Sequence, residues 1–373
     1  MIRLLLIAEG ARFAGIEGHL VTLLRALPAD EVAPQLAVFN RGPLAERVAA
    51  LGVPVHFIER QTKYDPGAIR RVARLVAETG TGIVHTHGYL ANVIAARALA
   101  DGRVPLVTTV HGAPEPFGGW AGLKMKINLA LDRRAMKRVC RRVIVVATHL
   151  AEALAQQGVP AEKIKVIYNG LPPWSAESAQ RYQSRGRLDL APDALAVAFV
   201  GRLEPVKDPL AFVEFAHLVH DYHPNTTFLV AGHGPLQEAM CRRVQELGLL
   251  PHVRFLGFVD DMDSLLAAAD LLVLTSRHEG IPFAALEAMR AGVPVVAPAV
   301  GGLPELLGGL DGLLSPAHDV RQLAALAVRL LGDRPRLAQA GAEVTARFDE
   351  RFTAAGMVEK LLGVYREILA EVA

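Results

Sequence analysis

Short apolar segments of strand length alternate with helical patterns throughout this sequence of 373 residues, and the alternation starts again after the middle. Apolar strands joined by helical crossovers must be covered on both faces, so the pattern predicts parallel sheets flanked by helices. The strands predicted in the first half are Ile2–Ala8, Gln35–Phe39, Val53–Ile58, Gly82–His87, Pro105–His111, Arg142–Ala147 and Lys165–Tyr168. Those in the second half are Leu195–Val200, Thr227–Ala231, Val253–Leu256, Leu271–Thr275 and Val293–Ala297.

The chain length and the restart of the pattern predict two α/β domains. The first is expected over residues 1–171 and the second over 193–350. A proline-containing polar stretch at 172–192 is predicted as the hinge, and residues 351–373 as a closing amphipathic helix.

Composition excludes several classes of protein. The 40 basic and 38 acidic residues leave a net charge of +2, which argues against a nucleic-acid binder. The two cysteines, Cys140 and Cys241, show no metal-ligand spacing and indicate a reduced, cytoplasmic protein. The first ten residues fit a β-strand better than a signal peptide, and no apolar run reaches the roughly 20 residues of a membrane span.

Ligands of open α/β sheets bind beyond the carboxyl ends of the strands. This rule selects candidate positions before any family is considered. They are His87, His111, Asn169–Gly170, Gly201–Arg202, Gly232–Gly234, Ser276–Glu279 and Gly301–Gly302.

The strongest candidate is the loop that follows the strand ending at Val200. Gly201 permits a sharp turn, and Arg202 and Lys207 place two cations on one loop. Two cations suit a diphosphate, whose charge grows as it leaves. A solvated loop with two surface cations would show the same spacing.

A second candidate is the segment from Glu279 to Glu287. Pro282 suits the first turn of a helix, whose N-terminal amides form an anion site. Because Pro282 has no N–H, the amides of Phe283 and Ala284 are the expected hydrogen-bond donors, and Gly280 is expected to bind the same ligand. Two carboxylates flank this site, although glutamates on a surface helix are often only solvated.

Other signals are weaker. Gly232 and Gly234 form a short loop that would let a ligand approach the backbone, and Gly15 and Glu17 mark a strand-to-helix turn. His87 or His111 could take a proton from an acceptor hydroxyl, or each could be a structural hydrogen-bonding group. No Asp-x-Asp motif is present, so we expect no metal and no cofactor.

Taken together and in order, these motifs closely resemble family 4 retaining glycosyltransferases of the GT-B fold, over nearly the whole chain. The motifs that carry the resemblance are Gly201-Arg202 with Lys207, Gly232-His233-Gly234, Glu279 with Glu287, Gly301-Gly302-Leu303-Pro304-Glu305, Tyr168-Asn169-Gly170 and Thr109-Val110-His111-Gly112. The resemblance implies two facing Rossmann-like domains, with the closing helix returning to the first.

The resemblance also implies roles at matching positions. Arg202 and Lys207 would hold the donor diphosphate, Glu287 the ribose hydroxyls, and Glu279 would face the transferred sugar. Amides near Phe283 would hold phosphate or sugar hydroxyls, and His111 would lie on the acceptor side near the anomeric carbon. The N-terminal loop reads Ala14-Gly15-Ile16-Glu17 where many relatives have a Gly-Gly pair, so its acceptor role is left open.

The expected function is transfer of a hexose from a nucleotide-diphosphate sugar, with a UDP-sugar first and GDP-mannose second. The expected acceptor is a hydroxyl of a glycan or lipid-linked glycan, in cell-surface polysaccharide or lipopolysaccharide assembly. A nucleotide-sugar 2-epimerase of the same fold and a catalytically silent nucleotide-sugar-binding protein are the alternatives.

Residues 124–142 form a basic segment with eight basic residues and one acid, Asp132. On a helix, Arg134, Arg138 and Arg141 would share one stripe. Such a helix could dock on an anionic membrane surface, or it could pack on its own domain with solvated charges. The sequence therefore leaves a peripheral location on the inner face of the cytoplasmic membrane open.

Overall fold

A computed structural model describes residues 1–10, 15–112, 119–174, 180–191 and 193–372. The chain divides into two compact units. The first domain comprises Met1–Pro172 together with Ala354–Ala373, and the second comprises Pro173–Thr353.

The first domain is a seven-stranded parallel sheet of order β3-β2-β1-β4-β5-β6-β7. Its elements before the interdomain connection are β1 (Ile2–Ala8), α1 (Gly15–Ala26), β2 (Val32–Val38), α2 (Pro43–Ala49), β3 (Val55–Phe57), α3 (Pro66–Thr79), β4 (Ile83–His87), α4 (Tyr89–Ala98), β5 (Leu106–Val110), α5 (Gly119–Arg138), β6 (Arg142–Val145), α6 (Thr148–Gln156) and β7 (Ile164–Val166).

The second domain is a six-stranded parallel sheet of order β10-β9-β8-β11-β12-β13. Its elements are α7 (Arg181–Arg187), β8 (Leu195–Val200), α8 (Pro209–His220), β9 (Thr226–Ala231), α9 (Gln237–Glu246), β10 (Val253–Gly257), α10 (Met262–Ala268), β11 (Leu271–Val273), α11 (Phe283–Arg290), β12 (Val295–Pro298), α12 (Leu303–Leu307), β13 (Leu314–Ser315), α13 (Val320–Gly332) and α14 (Arg334–Arg351). The last helix, α15 (Ala354–Val372), belongs to the first domain.

The prediction of two parallel-sheet α/β domains is confirmed. In each sheet the strand order reverses once, between β1 and β4 and between β8 and β11. Such a reversal opens a crevice at the carboxyl ends of the two strands, where ligands bind. The fold therefore singles out one crevice in each domain.

Helix α15 completes the core of the first domain. Its buried face, which includes Leu361, Tyr365 and Ile368, joins one apolar cluster with β1 and α1. The second domain is packed around aromatic rings of β8, β9 and α8, with the Phe199 and Phe212 centroids 5.0 Å apart. These cores hold the strand ends in place.

Several helix starts are set by side-chain caps. Asp65 accepts a hydrogen bond from the Gly67 amide at 2.8 Å with Pro66 following, and Gly80 ends the same helix with φ of +59°. Asp319 and Asp333 cap α13 and α14 in the same way. Aspartate at the first cap and glycine after the last turn are the residues that helix ends prefer.

Three details differ from the sequence predictions. Within the predicted hinge, α7 packs against α10, and its Arg185 donates to the Ala268 carbonyl at 3.0 Å. Strand β13 was not predicted, because two residues are too few to show a period. Helix α5 ends at Arg138, so Arg141 lies outside it and its amide donates to the Leu106 carbonyl at 2.8 Å.

No helix in the described part of the chain combines the length and apolar character that crossing a membrane requires.

Candidate functional site

The loops that follow β8, β9 and β11 interlock at the crevice of the second domain. The Gly201 amide donates to the Ala231 carbonyl at 3.0 Å, and the Leu203 amide to the His233 carbonyl at 3.0 Å. The Arg277 amide donates to the Val206 carbonyl at 2.8 Å. Three of the predicted motifs, far apart in sequence, therefore form one backbone cluster.

Glycine is required at two places where these loops cross. A methyl group on Gly232, whose φ is +137°, would lie 1.9 Å from the Gly201 carbonyl oxygen. A methyl group on Gly301, whose φ is +55°, would lie 1.9 Å from the Glu279 carbonyl oxygen. Only a residue without a Cβ permits these approaches.

Lys207 and Glu279 form an ion pair in this cluster. The Lys207 Nζ lies 2.5 Å from Glu279 Oε1, and the Ser276 hydroxyl donates to the same oxygen at 2.6 Å. The Glu279 side chain is only 6% exposed and that of Lys207 21%. The pair joins the loop after β8, which carries Lys207, to the loop after β11, which carries Glu279.

Arg202, the second predicted cation, is in a different environment. Its Nη1 lies 2.5 Å from Glu204 Oε2, and its side chain is 56% exposed. An exposed pair of this kind contributes little to stability, so the guanidinium can exchange Glu204 for an anionic ligand at low cost.

Helix α11 begins at Phe283, and Pro282 precedes it as the N-cap residue instead of lying in the first turn as predicted. The Ala285 and Leu286 amides donate to the Pro282 carbonyl, at 3.1 Å and 3.3 Å. Since the first amides of a helix have no acceptor within it, Phe283 and Ala284 are the donors placed to receive an anion. Gly280 lies three residues before Phe283, with its carbonyl beside Gly302.

Glu287 lies in the second turn of α11 and is electrostatically unusual. Burial raises the pKa of its carboxyl to about 7, against a smaller lowering by Arg290 and together with a raising by Asp263. A carboxyl group whose pKa is raised strongly by burial is common at binding and catalytic sites and also occurs in structural ion pairs.

We expect Glu287→Gln to raise the melting temperature at pH 8 and to leave it nearly unchanged at pH 4. The raised pKa means that the folded chain holds a proton that the unfolded chain releases near pH 4.5. This contribution to stability is fully present below pH 4.5 and is lost as pH rises from there through about 7, and the amide avoids the loss. Partial exposure of the side chain limits the gain to about 1–2 kcal/mol. Thermal scans at both pH values check it; an equal shift at the two would contradict it.

A cluster of histidines occupies the crevice of the first domain. His87 Nδ1 lies 3.0 Å from His111 Nε2, so the structure brings together the two histidines predicted from strand ends. His19 of α1 joins them, its ring centroid 4.7 Å from that of His111 and 5.3 Å from that of His87. His19 Nδ1 is 2.9 Å from Asn169 Oδ1.

His19 was not predicted as a site residue, nor were His85 and Tyr365, which lie beside the three clustered histidines. His85 Nδ1 lies 2.6 Å from the Tyr365 hydroxyl, and its Nε2 lies 2.7 Å from Thr109 Oγ1. The His85-x-His87 spacing was a usable signal, since alternate residues of a strand share a face. The contact with Tyr365, which is 280 positions away, carried no such signal.

The predicted N-terminal loop lies partly outside the described residues, which resume at Gly15. Gly15 is the first residue of α1 and is exposed, whereas Glu17 is buried in the first turn. Helix α1 thus starts two residues before Glu17, and it is His19 that reaches the histidine cluster.

The basic segment 124–142 consists mostly of α5. Arg134 and Arg138 are exposed on this helix, and Arg141 is beyond its end, so the predicted three-arginine stripe is wrong at its last member. Leu123 and Ile127 are 50% and 54% exposed, whereas Met136 is buried. The exposed side of the helix therefore carries both apolar and basic groups.

Two family models match the chain. One, described as Glycosyltransferase Family 4, matches residues 13–174, and the other, Glycosyl transferases group 1, matches residues 194–333. A D-inositol 3-phosphate glycosyltransferase of Mycobacterium tuberculosis is 29% identical over 380 residues, covering 96% of this chain and 76% of that protein. An uncharacterized glycosyltransferase of Methanocaldococcus jannaschii is 29% identical over 232 residues, which are 60% of this chain and 59% of the relative.

Solved structures show the same fold. HepE of Anabaena, in complex with UDP, superimposes with a TM-score of 0.86 at 24% identity, over 98% of this chain and 100% of that one. A glycosyltransferase of Rickettsia africae gives 0.80 at 18% identity, with 99% of each chain covered. The chain therefore belongs to the family 4, group 1 glycosyltransferases of the GT-B fold.

Proposed function

We propose that this glycosyltransferase moves a hexose from a UDP-sugar, or second from GDP-mannose, to a hydroxyl of a glycan or lipid-linked glycan. The assembly of cell-surface polysaccharide or lipopolysaccharide is the proposed setting. The observation that carries the proposal is the loop cluster of the second domain, where Lys207 pairs with Glu279 and Arg202 pairs with Glu204. The loop that carries Glu279 leads directly into the start of α11.

Neighbouring structures support UDP as the nucleotide. HepE of Anabaena was solved with UDP, with UDP and glucose, and with UDP-glucose. The similar fold makes the corresponding crevice of the second domain the place to test first. The sequence shows no base-reading motif, so GDP-mannose remains the second donor.

In the proposed reaction Lys207 and Arg202 stabilise the leaving diphosphate. In the free protein the positive charge of Lys207 is balanced by Glu279 at 2.5 Å. A bound diphosphate offers Lys207 a stronger partner, and Glu279 can then accept from hydroxyls of the transferred sugar. Donors held ready for charge that develops in the transition state typically accelerate such reactions about 10²–10³-fold each.

Glu287 is proposed to bind the ribose hydroxyls, as the resemblance implies. Its ionised form is the better acceptor, so donor affinity should rise as pH increases through the carboxyl pKa of about 7. The glycines Gly201, Gly232 and Gly234 let the backbone lie against the diphosphate without a side chain intervening.

We propose retention of configuration, with departure and attack on the same face and assistance from the donor's own phosphate. His111 is proposed to lie on the acceptor side, with His87 holding its ring at 3.0 Å. No metal or cofactor is assigned to transfer, because the two cations and the start of α11 supply the charge that a bridging metal would.

A donor screen with purified protein tests the proposal. We expect release of nucleoside diphosphate with a UDP-hexose, an α-linked product from an α-linked donor by NMR, and undiminished activity in excess EDTA. An inverted product would contradict the stereochemistry, and loss of activity on chelation would contradict metal independence.

Two alternatives share the fold, a nucleotide-sugar 2-epimerase and a silent binding protein. Incubation with donor alone separates them from a transferase. Epimer formation would support the isomerase, slow hydrolysis of the donor the transferase, and no turnover the silent protein. The Lys207–Glu279 pair in the crevice is the specific observation that favours catalysis.

We also propose that α5 docks on anionic membrane from the cytoplasmic side. Binding to anionic vesicles should weaken with salt and should fall when Arg134 and Arg138 become Glu, since each basic residue contributes about 1 kcal/mol. Co-sedimentation measures it. Arg25→Glu with Arg103→Glu, two exposed arginines of the same domain, is the charge-matched control. Wild-type protein that stays in the supernatant at low salt would rule out docking and favour an acceptor in solution.

A further inference from the structure

The histidine cluster of the first domain contains three rings arranged around a common centre. One nitrogen each from His19, His87 and His111 lies within 4.8 Å of the other two. The three ring centroids are 4.7, 5.3 and 5.3 Å apart. Three imidazoles around one tetrahedral ion, with metal–nitrogen bonds of about 2.0–2.1 Å, place their centroids about 5 Å apart. The rings therefore already have the spacing of a three-histidine metal site.

Hydrogen bonds prepare one of the rings for this role. Asn169 Oδ1 can only accept, so His19 Nδ1 at 2.9 Å carries the proton and its Nε2 keeps a lone pair. Histidine ligands of metals are commonly oriented in this way, by a carbonyl oxygen that accepts from the other ring nitrogen.

The rings of His87 and His111 each keep one nitrogen that makes no hydrogen bond. Among the described residues, His87 Nε2 and His111 Nδ1 are buried without a hydrogen-bond partner. Buried polar atoms are rarely left so, and each such atom needs an explanation, of which a missing ion is one. Both ring nitrogens of His85 are hydrogen-bonded, Nδ1 with the Tyr365 hydroxyl and Nε2 with Thr109 Oγ1, so His85 is not a candidate ligand.

We propose that His19, His87 and His111 form a binding site for a divalent transition metal ion, of which Zn²⁺ is the best match. Neutral imidazole is a preferred ligand of Zn²⁺, Cu²⁺ and Ni²⁺, whereas Mg²⁺ and Ca²⁺ prefer oxygen. Three protein ligands leave a fourth position for water or a hydroxyl. His111 is only half-buried, which gives an ion access from solvent.

The protonation state of the cluster supports this assignment. Burial lowers the pKa of His19 to about 4, and burial lowers the pKa of His87 and His111 well below their usual range, with smaller contributions from the neighbouring rings. All three rings are therefore neutral at pH 7, and the ion need not displace a proton from an imidazolium.

The site has a consequence for the reaction, which rests on the proposed function. His111 is proposed to lie beside the acceptor, so an ion on its ring withdraws it from that role. The metal is then an inhibitor rather than a requirement, and transfer in EDTA and inhibition by Zn²⁺ are both expected.

Calorimetric titration of the full chain with Zn²⁺, after treatment with chelator, tests the site. We expect one ion per chain, and visible bands of four-coordinate Co²⁺ when Co²⁺ is the probe. His19→Asn, His87→Asn and His111→Asn should each weaken binding at least about 100-fold, and Asn169→Ala about 10–100-fold. His56→Asn, in the same domain but outside the cluster, should bind as wild type does, and Mg²⁺ should not bind.

The results separate the site from the proposed function. Stoichiometric binding lost in the three variants supports the site; absence of binding, or equal affinity in the variants, overturns it. If a variant does not fold, the Co²⁺ spectrum of the wild type decides. A spectrum that lacks the visible bands of four-coordinate, nitrogen-ligated Co²⁺ also overturns the site. Binding with at least tenfold slower transfer supports both the site and the role of His111. Binding without inhibition supports the site and removes His111 from the reaction.

Discussion

Lys207→Ala and Arg202→Ala are each expected to slow sugar transfer about 10²–10³-fold while circular dichroism stays native. Each removes one cation that is proposed to stabilise the leaving diphosphate, and the loss of a single preorganised hydrogen-bond donor typically has this size. Initial rates of nucleoside diphosphate release at saturating donor measure it. Arg243→Ala is the control. Arg243 of α9 pairs with Glu214 of α8 and Glu246 of α9, and it has no proposed role in transfer. Full activity in both variants would remove the assignment of the donor site.

The two variants should differ in stability. Lys207→Ala leaves the Glu279 carboxylate, which is 6% exposed, with Ser276 as its remaining partner of the two. An uncompensated buried charge lowers the free energy of unfolding. Because the pair is partly solvated, with Lys207 21% exposed, we expect a cost of about 1–3 kcal/mol. Arg202→Ala breaks an exposed pair and should leave the melting temperature nearly unchanged.

A double variant separates charge from packing. Lys207→Ala combined with Glu279→Gln should recover most of the lost stability, because the amide no longer carries an unpaired charge. Activity should not recover, since the cation is still missing. Recovery of both would show that Lys207 acts only by holding Glu279.

The sequence identified the loops that meet in the second domain because its signals for strand ends are local. A glycine or polar residue directly after an apolar strand marks the carboxyl edge of a parallel sheet, and Gly201, Gly232 and Ser276 all do so. The start of α11 was predicted to within one residue, because Pro282 was expected in the first turn and lies directly before it.

What the sequence did not predict depends on tertiary contacts. Lys207 and Glu279 are 72 positions apart, and nothing in their spacing indicates a 2.5 Å ion pair. His85 and Tyr365 meet because α15 returns to the first domain and packs against it. Helix α7 was hidden in a polar stretch, because it is held by Arg181 and Arg185 binding Asp270 rather than by an apolar face.

The crossing of the loops that carry Gly232 and Gly301 shows the same limit. The sequence identified Gly232 and Gly301 as loop glycines, but both positions are constrained by a backbone carbonyl from another loop. In each case the constraint is the 1.9 Å approach that a methyl group would make, which only the assembled sheet creates. Glycine here is required by neighbours as well as by its own dihedral angle.

Gly301→Ala and Gly232→Ala are therefore expected to destabilise the second domain and to abolish most donor binding. The obstructing atoms are main-chain carbonyls, so no rotamer change relieves the contact and one loop must move. Overpacking typically costs about 1–3 kcal/mol, and an alanine at positive φ adds about 1 kcal/mol.

Gly248→Ala is the matched control: Gly248 has φ of +70°, and a methyl group there would meet no described atom within 4 Å. It should show the dihedral cost alone and keep donor affinity. Chemical denaturation and titration with UDP check all three variants. If Gly301→Ala lost no more stability than Gly248→Ala and bound UDP normally, the loops would not be held together as described. A lost stability of about 2–4 kcal/mol in Gly301→Ala, with the control near 1, would instead show that the contact between Gly301 and Glu279 holds the loop carrying the Lys207–Glu279 pair in place.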